Sequence, residues 1–176
     1  SSSSSSDGSD GEEDEEPART GIGAHTDFEC FTLMHQSATG LQLMPRASDG
    51  THGHGAWIDA PVRDAEFVVI VGDMLERLTN GYVLATPHRV LPTEHARSSI
   101  IRFNGFAPNA LVRPLDAFVS AARPLAYSPV RMRQHMETTM KNLEAGLGSW
   151  DSAKRRSRSA TYDYGPPEAE RPPPGQ

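Results

Sequence analysis

The sequence predicts a mainly β domain, a sandwich or barrel, closed by one C-terminal helix. Two observations carry this. Short apolar or alternating runs recur between Phe28 and Phe106, each cut by Gly, Pro or an Asn-Gly or Asp-Gly pair, and that spacing favours strands joined by turns over a βαβ chain. Only after Pro124 does the period change: Met132, Met136, Met140, Leu143 and Leu147 recur at helical spacing.

Taken in order, structure is expected to start near Gly21. Phe28 to His35 is rich in aromatic and apolar residues and reads as a strand. Thr39-Gly40 turns the chain, and Leu41 to Met44 is the next strand, stopped by Pro45. Arg46 to Gly55 reads as an exposed loop, with Asp49-Gly50 and two His-Gly pairs. Ala56 to Asp59 is a short strand. Phe67-Val68-Val69-Ile70-Val71 is the longest apolar run and is expected to be a central strand. Met74 to Leu78 fits one helical turn, and Asn80-Gly81 a tight turn. Tyr82 to Ala85, His88 to Leu91 and Ser98 to Phe106 complete the strands. Ser128-Pro129 reads as a helix cap with Pro in the first turn, and the Met stripe as the face that docks on the sheet, ending near Gly146 or Gly148.

These readings divide the chain into three. Residues 1–20 are six serines and an acidic run with nothing to bury, expected to be a solvated, disordered segment; Ser9, three residues before Glu12, is a candidate phosphorylation site. Residues 21–148 form the domain with its helix. Residues 149–176, with Lys154-Arg155-Arg156-Ser157-Arg158 and several prolines, are expected to be a disordered basic tail.

The 176 residues suffice for one domain with a core. The net charge of −6 is uneven: seven of the 23 acids lie between Asp7 and Glu16, leaving 16 acids against 17 bases. The domain is thus nearly neutral, which gives no electrostatic support to nucleic-acid binding. No run is long enough to span a membrane. The single cysteine, Cys30, forbids an internal disulfide and fits a reducing, cytoplasmic setting. A monomer is expected.

Chemistry concentrates in two places. His25 and Asp27 stand at i and i+2, which puts both side chains on one face of an extended strand. His88 must reach them from another strand. Two imidazoles and one carboxylate on one face of a metal leave open positions, the arrangement of non-haem Fe(II) oxygenases. A structural zinc site would more often use thiolates. Arg97 and Ser99, also at i and i+2, can grip a carboxylate through a guanidinium fork and a hydroxyl.

At this point the sequence resembles the 2-oxoglutarate- and Fe(II)-dependent dioxygenases of the isopenicillin N synthase-like type. The matching words are Gly23-Ala24-His25-Thr26-Asp27, Phe31 to Gln36, Gly40-Leu41-Gln42-Leu43, Trp57-Ile58-Asp59, Gly72-Asp73-Met74-Leu75-Glu76, Thr79-Asn80-Gly81, Thr86-Pro87-His88-Arg89-Val90 and Arg97-Ser98-Ser99-Ile100. They run in the family's order over about Gly21 to Leu115. The resemblance implies a double-stranded β-helix, or jelly roll, here incomplete at its N-terminal side. It implies His25, Asp27 and His88 as iron ligands, and Arg97 and Ser99 as the hold on the distal carboxylate of the co-substrate 2-oxoglutarate. With O₂, such enzymes convert the co-substrate to succinate and CO₂ and oxidise a small organic metabolite by hydroxylation, desaturation or ring closure. Family members are longer, and carry an upstream strand with a tyrosine where this chain has its acidic serine-rich run.

Two other readings stay open: an iron oxidase that dispenses with 2-oxoglutarate, and a catalytically inactive jelly roll used for binding. Among the remaining candidates, His35 is expected either to serve packing or to stand just outside the ligand set, His52 and His54 to sit in a solvated loop, His95 to be exposed and His135 to lie on the polar side of the helix. Cys30 fits either a pocket wall or a small buried side chain. Phe103 and Phe106 fit core packing, with a substrate wall as the alternative.

Overall fold

The computed structural model describes residues 21–46 and 56–164. Among them, seven strands make two sheets: β1 (Ile22–His25), β2 (Phe31–Gln36), β3 (Leu41–Leu43), β4 (Ile58–Asp59), β5 (Val68–Val71), β6 (His88–Val90) and β7 (Ser99–Asn104). One sheet has the order β1-β6-β3-β4 and the other β5-β2-β7. The chain passes back and forth between them, the alternation of a jelly roll. Along β2, Thr32, Met34 and Gln36 are buried while Phe31, Leu33 and His35 are less so, the two-residue period of a strand with one face on the core. Met34 and Ile70 from one sheet meet Leu41 from the other, with Ala60 beside them, and Leu43, Val68 and Val90 close the rim. This inter-sheet core holds the sheets in the register on which the site depends.

Two local features steer the chain at the site. Opposite β6, Ile22 pairs with Val90 and His25 with His88, so β1 carries one residue more than its partner over that span. Such a bulge re-aims side chains at a strand end. After β5 the chain bends at Gly72, where a Cβ would collide with the Glu29 carbonyl, and enters α1 (Asp73–Leu78). The Asp73 N–H donates to the Asp27 carbonyl at 2.8 Å. Asn80 and Gly81, with φ of 50° and 75°, form the expected turn in left-handed backbone.

Beyond the sandwich lie β8 (Leu111–Val112) and β9 (Val130–Arg131), which pair antiparallel, and α2 (Met132–Glu144). Met74, Val112, Val130 and Met132 form a second core under α1, with Cys30, Leu78, Met136 and Tyr164 against it. Past the helix, Gly146 takes φ of 78°, its N–H bonds the Leu143 carbonyl and that of Leu147 the Asn142 carbonyl, the paired bonds of a glycine-terminated helix.

Several expectations are corrected. The Phe67–Val71 run is an edge rather than a centre: among the described residues β5 pairs with β2 alone, and Val69 is 61% exposed. Tyr82 to Ala85 is not a strand. The final helix starts at Met132, because Val130 and Arg131 are taken up by pairing with β8. Its buried face is Met132, His135 and Thr139, while Met140, Leu143 and Leu147 are exposed. The stripe is therefore turned away from the body after its first turns, and His135 is buried rather than solvated. The segment from Ser149 is not a free tail: β10 (Trp150–Asp151) and β11 (Arg156–Ser157) form a hairpin, and Ser149, Trp150, Ser157, Ser159 and Ala160 are buried. The acidic segment 1–20, His52 and His54, and residues 165–176 lie outside the described residues.

Candidate metal centre

His25 closes β1, His88 opens β6 and the two are cross-strand partners. Their rings lie 4.1 Å apart, tilted by 52°. Asp27 follows two residues on, and its Oδ1 is 3.7 Å from His25 Nε2 and 3.5 Å from His88 Nε2. One ligand atom from each residue lies within 4.8 Å of the others. A metal holding ligands at about 2.1 Å sets neighbours roughly 3 Å apart, so a small inward movement closes the set.

What the other polar atoms do matters as much. His25 Nδ1 is 2.8 Å from the Gly23 carbonyl and His88 Nδ1 is 3.1 Å from the Thr86 carbonyl. A carbonyl only accepts, so each Nδ1 carries the proton and each Nε2 presents a lone pair, as metal-binding imidazoles require. The Thr32 hydroxyl, from the facing sheet, donates to Asp27 Oδ2, which leaves Oδ1 to face the imidazoles. Asp27 and His88 are buried, while the His25 side chain is 30% exposed. Burial, and then the neighbouring His25 imidazole, hold the His88 pKa below its ordinary value against the pull of Asp27. The neutral, ligand-competent form is thereby favoured.

Arg97 and Ser99 stand at the entry to β7, on the other sheet. Arg97 Nη2 donates to Gln36 Oε1 at 3.0 Å, and Ser99 is the cross-strand partner of Gln36. Gly40 takes φ of 128°, a backbone conformation that L side chains rarely adopt, and a Cβ there would sit 2.9 Å from Thr93 Cγ2. Arg97 Nε and Ser99 Oγ are both buried and have no hydrogen-bond partner among the described residues. Leaving a buried donor unpaired costs about 1–3 kcal/mol, so a ligand offering acceptors to this pair is favoured. Burial lowers the Arg97 pKa, but a guanidinium stays cationic at neutral pH. The pair thus fits one end of a carboxylate.

Along the same face of β7, Ile101 follows Ser99 and pairs with Met34, and Phe103 pairs with Thr32. Direct cross-strand partners point to one side of a sheet. Phe103 therefore lies on the side from which Thr32 reaches Asp27. It walls a cavity of about 480 Å³ with Phe106, Pro108, Met132 and Met136, rimmed by Glu29, Arg133 and Glu137. Phe103 and Phe106 are 54% and 37% exposed, which makes them walls more than core. Cys30 packs against the second core. His35 turns to the outer face, 3.1 Å from the Glu66 carbonyl and edge-on to Phe67, and His95 is exposed.

Sequence reasoning missed Thr32, Gln36, Asp73, Ser149 and Ser157. Thr32 and Gln36 carried a signal, since they alternate along the strand that follows the ligands. Asp73 stood within the Gly72-Asp73 word but had no role. The two serines had none, being separated from Thr26 by more than a hundred residues.

Comparison with known proteins agrees with this geometry. The profile of the 2OG-Fe(II) oxygenase superfamily matches residues 9–105, just over half the chain. The chain is 33% identical over 134 residues to gibberellin 20 oxidase 3 of Oryza sativa subsp. japonica, covering 75% of this chain and 36% of that one. It is 35% identical over 103 residues to the 2-oxoglutarate-dependent dioxygenase tropC of Talaromyces stipitatus, covering 57% and 30%. The chain thus spans about a third of the length of the curated relatives it matches. Among solved structures, a full-length Neurospora crassa protein in complex with alpha-KG aligns with a TM-score of 0.58 at 25% identity, over 68% of this chain and 37% of that one. The rice dioxygenase for auxin oxidation aligns with a TM-score of 0.64 at 22% identity, over 77% and 44%, which shows the shared fold. The ordered words of the sequence, the alternating sheets and the matched profile converge, and the chain belongs to the 2OG-Fe(II) oxygenase superfamily.

Proposed function

We propose that this chain forms the iron- and 2-oxoglutarate-binding part of an oxygenase that oxidises a small organic metabolite, with succinate and CO₂ as co-products. His25, Asp27 and His88 ligate Fe(II), and Arg97 with Ser99 holds the distal carboxylate of 2-oxoglutarate. The observation that carries this is the convergence of two bare Nε2 atoms and one carboxylate oxygen within 4.8 Å of one another. The unpaired Arg97 Nε and Ser99 Oγ at the start of β7 support it.

The bound metal supplies O₂ chemistry able to oxidise an unactivated C–H bond. The chain supplies geometry. Gly23 and Thr86 carbonyls fix the imidazole tautomers, and Thr32 fixes the Asp27 rotamer. His25, Asp27 and His88 would supply three ligands to a bound metal, which would leave it positions for co-substrate and O₂. Ser99, Ile101 and Phe103 succeed one another on one face of β7, so an oxo-acid anchored at Ser99 extends toward Thr32 and Asp27. The apolar cavity beyond Phe103 receives the organic substrate. Its walls favour an apolar or aromatic body. Two similar proteins have been solved with a small organic ligand beside the co-substrate: JOX2 with 2OG, Fe and JA, and the Neurospora crassa protein with alpha-KG and thymine.

The test is anaerobic addition of Fe(II) and then 2-oxoglutarate to the protein. A metal-to-oxo-acid charge-transfer band is expected in the visible, absent from His88→Ala. Succinate release on exposure to air, coupled to substrate loss, separates this from an oxidase that does not consume 2-oxoglutarate. Iron binding with no band on adding 2-oxoglutarate overturns the co-substrate assignment.

A further inference from the structure

The residue between two of the ligands, Thr26, is held by a layer whose composition reads as a disordered tail. Thr26 is fully buried. Its N–H donates to Ser149 Oγ at 2.9 Å, and the same Oγ donates to its carbonyl at 2.8 Å. A hydroxyl both donates and accepts, so one serine closes both backbone groups of Thr26. Among the described residues β1 is the outer strand of its sheet, and it ends at His25. Ser149 thus stands in for the strand that would otherwise have to pair with the chain there.

The side chain of Thr26 is held as well. Its Oγ1 lies 3.0 Å from Ser157 Oγ, and Ser157 in turn donates to Asp73 Oδ1 at 2.7 Å. With the Ser157 proton committed to Asp73, Thr26 is the donor to Ser157. Ser159 donates to the other oxygen of Asp73. The Asp73 backbone N–H then bonds the Asp27 carbonyl at 2.8 Å. A closed circuit runs from Thr26 through Ser157 and Asp73 to Asp27. All five residues, Thr26, Asp73, Ser149, Ser157 and Ser159, are at most 1% exposed. The hairpin is tied down in its own right: Arg158 N–H bonds the Ser149 carbonyl, Ala160 N–H bonds Ser157 Oγ, and Arg77 reaches the Ala160 carbonyl.

The structure assigns Ser149 and Ser157 as positioning residues of the metal site: the segment Ser149–Ala160 is a strap that sets the backbone of His25-Thr26-Asp27. The assignment rests on the reading that His25, Asp27 and His88 bind the metal. A small rotation about Thr26 swings His25 and Asp27 in opposite directions, because they flank it. A buried, fully bonded pin at that residue therefore fixes the distance between two ligand atoms. Partners of this kind outside the ligand set typically change metal affinity by about 10- to 100-fold when removed.

The experiment is anaerobic titration of the full chain with Co(II), read by its visible ligand-field bands, alongside thermal unfolding of each metal-free variant. Ser149→Ala and Ser157→Ala are expected to weaken Co(II) binding about 10-fold or more and to shift the bands. Thr26→Val keeps the side-chain volume, removes only the hydroxyl that meets Ser157 Oγ at 3.0 Å and the Ser149 carbonyl at 3.4 Å, and decides the matter should Ser149→Ala not fold. Val130→Ala, in the second core, is the reference for mere destabilisation: it is expected to lower the melting temperature and leave Co(II) affinity essentially unchanged. Unchanged affinity in Ser157→Ala and Thr26→Val overturns the strap. Failure of the unaltered chain to bind Co(II) overturns the metal reading, and the strap with it, at the first step of the titration.

Discussion

The metal cluster and the Arg97–Ser99 pair lie on facing sheets and are held in opposite ways. Around His25, Asp27 and His88, the side-chain atoms turned away from the centre are bonded: two Nδ1 atoms to carbonyls and one Oδ2 to Thr32. Around Arg97 and Ser99, one guanidinium nitrogen is tied to Gln36, while Nε and a hydroxyl are buried without partners among the described residues. On the proposed reading, the first region is arranged for an ion, with a small inward movement left to make. The second carries a desolvation cost that a carboxylate relieves. The difference suits the two occupants proposed above, a resident metal and a co-substrate that would arrive and leave.

The largest effect expected is at the first region. His88→Ala or Asp27→Ala removes a ligand and should cost more than an outer partner does, about 10³-fold or beyond in Fe(II) affinity. Anaerobic calorimetry with Fe(II) checks it, with circular dichroism of each variant as the control that the sheets are retained. Next comes the second region. Arg97→Ala should weaken 2-oxoglutarate by about 30- to 1000-fold, roughly 2–4 kcal/mol, within the range for a truncated buried charge partner, while leaving Fe(II) affinity in place. A loss of Fe(II) binding in Arg97→Ala would break the comparison, because the two regions would then be one.

Smaller effects sharpen it. Thr32→Val frees Asp27 Oδ2 and should weaken Fe(II) about 10-fold, whereas Ser99→Ala removes a single neutral donor and should raise the 2-oxoglutarate Kd about fivefold, near 1 kcal/mol. The least effect concerns the layer under the metal turn. Burial, then Arg77, push His135 down to about 3. The unfolded chain takes up that proton near the ordinary value of about 6.5 and the folded chain does not. Stability from His135 is thus complete above that value and is lost as pH falls toward 3. Urea unfolding at neutral pH and about two units below should show a steeper loss in the parent than in His135→Gln.

Much of this was legible in the chain itself. The strand spacing predicted a sandwich or barrel, and β2, β3, β6 and β7 fall where short apolar runs were cut by turns. Asn80-Gly81 announced its left-handed turn. The ligand candidates His25, Asp27 and His88 do meet in space, and Arg97 and Ser99 do stand together at the start of one strand with buried donors to spare. Failures share a cause. The Phe67–Val71 run looked central because β-branched density reports strand propensity, not the number of neighbours. The Met stripe looked like the docking face because periodicity reports an apolar face, not which face a partner covers.

The sequence by itself determined the fold class, the turn positions and the chemical identity of the donors, because each depends on residue type and short spacing. Tertiary structure alone decided that β5 is an edge, that His135 is buried beside Tyr164, and that Ser149 and Ser157 pin Thr26. The last two outcomes hang on hydrogen bonds between residues far apart in the chain. Serine has no propensity that foretells a partner at such separation, and a basic, polar segment carries the composition of a tail whether or not a buried aspartate awaits its hydroxyls.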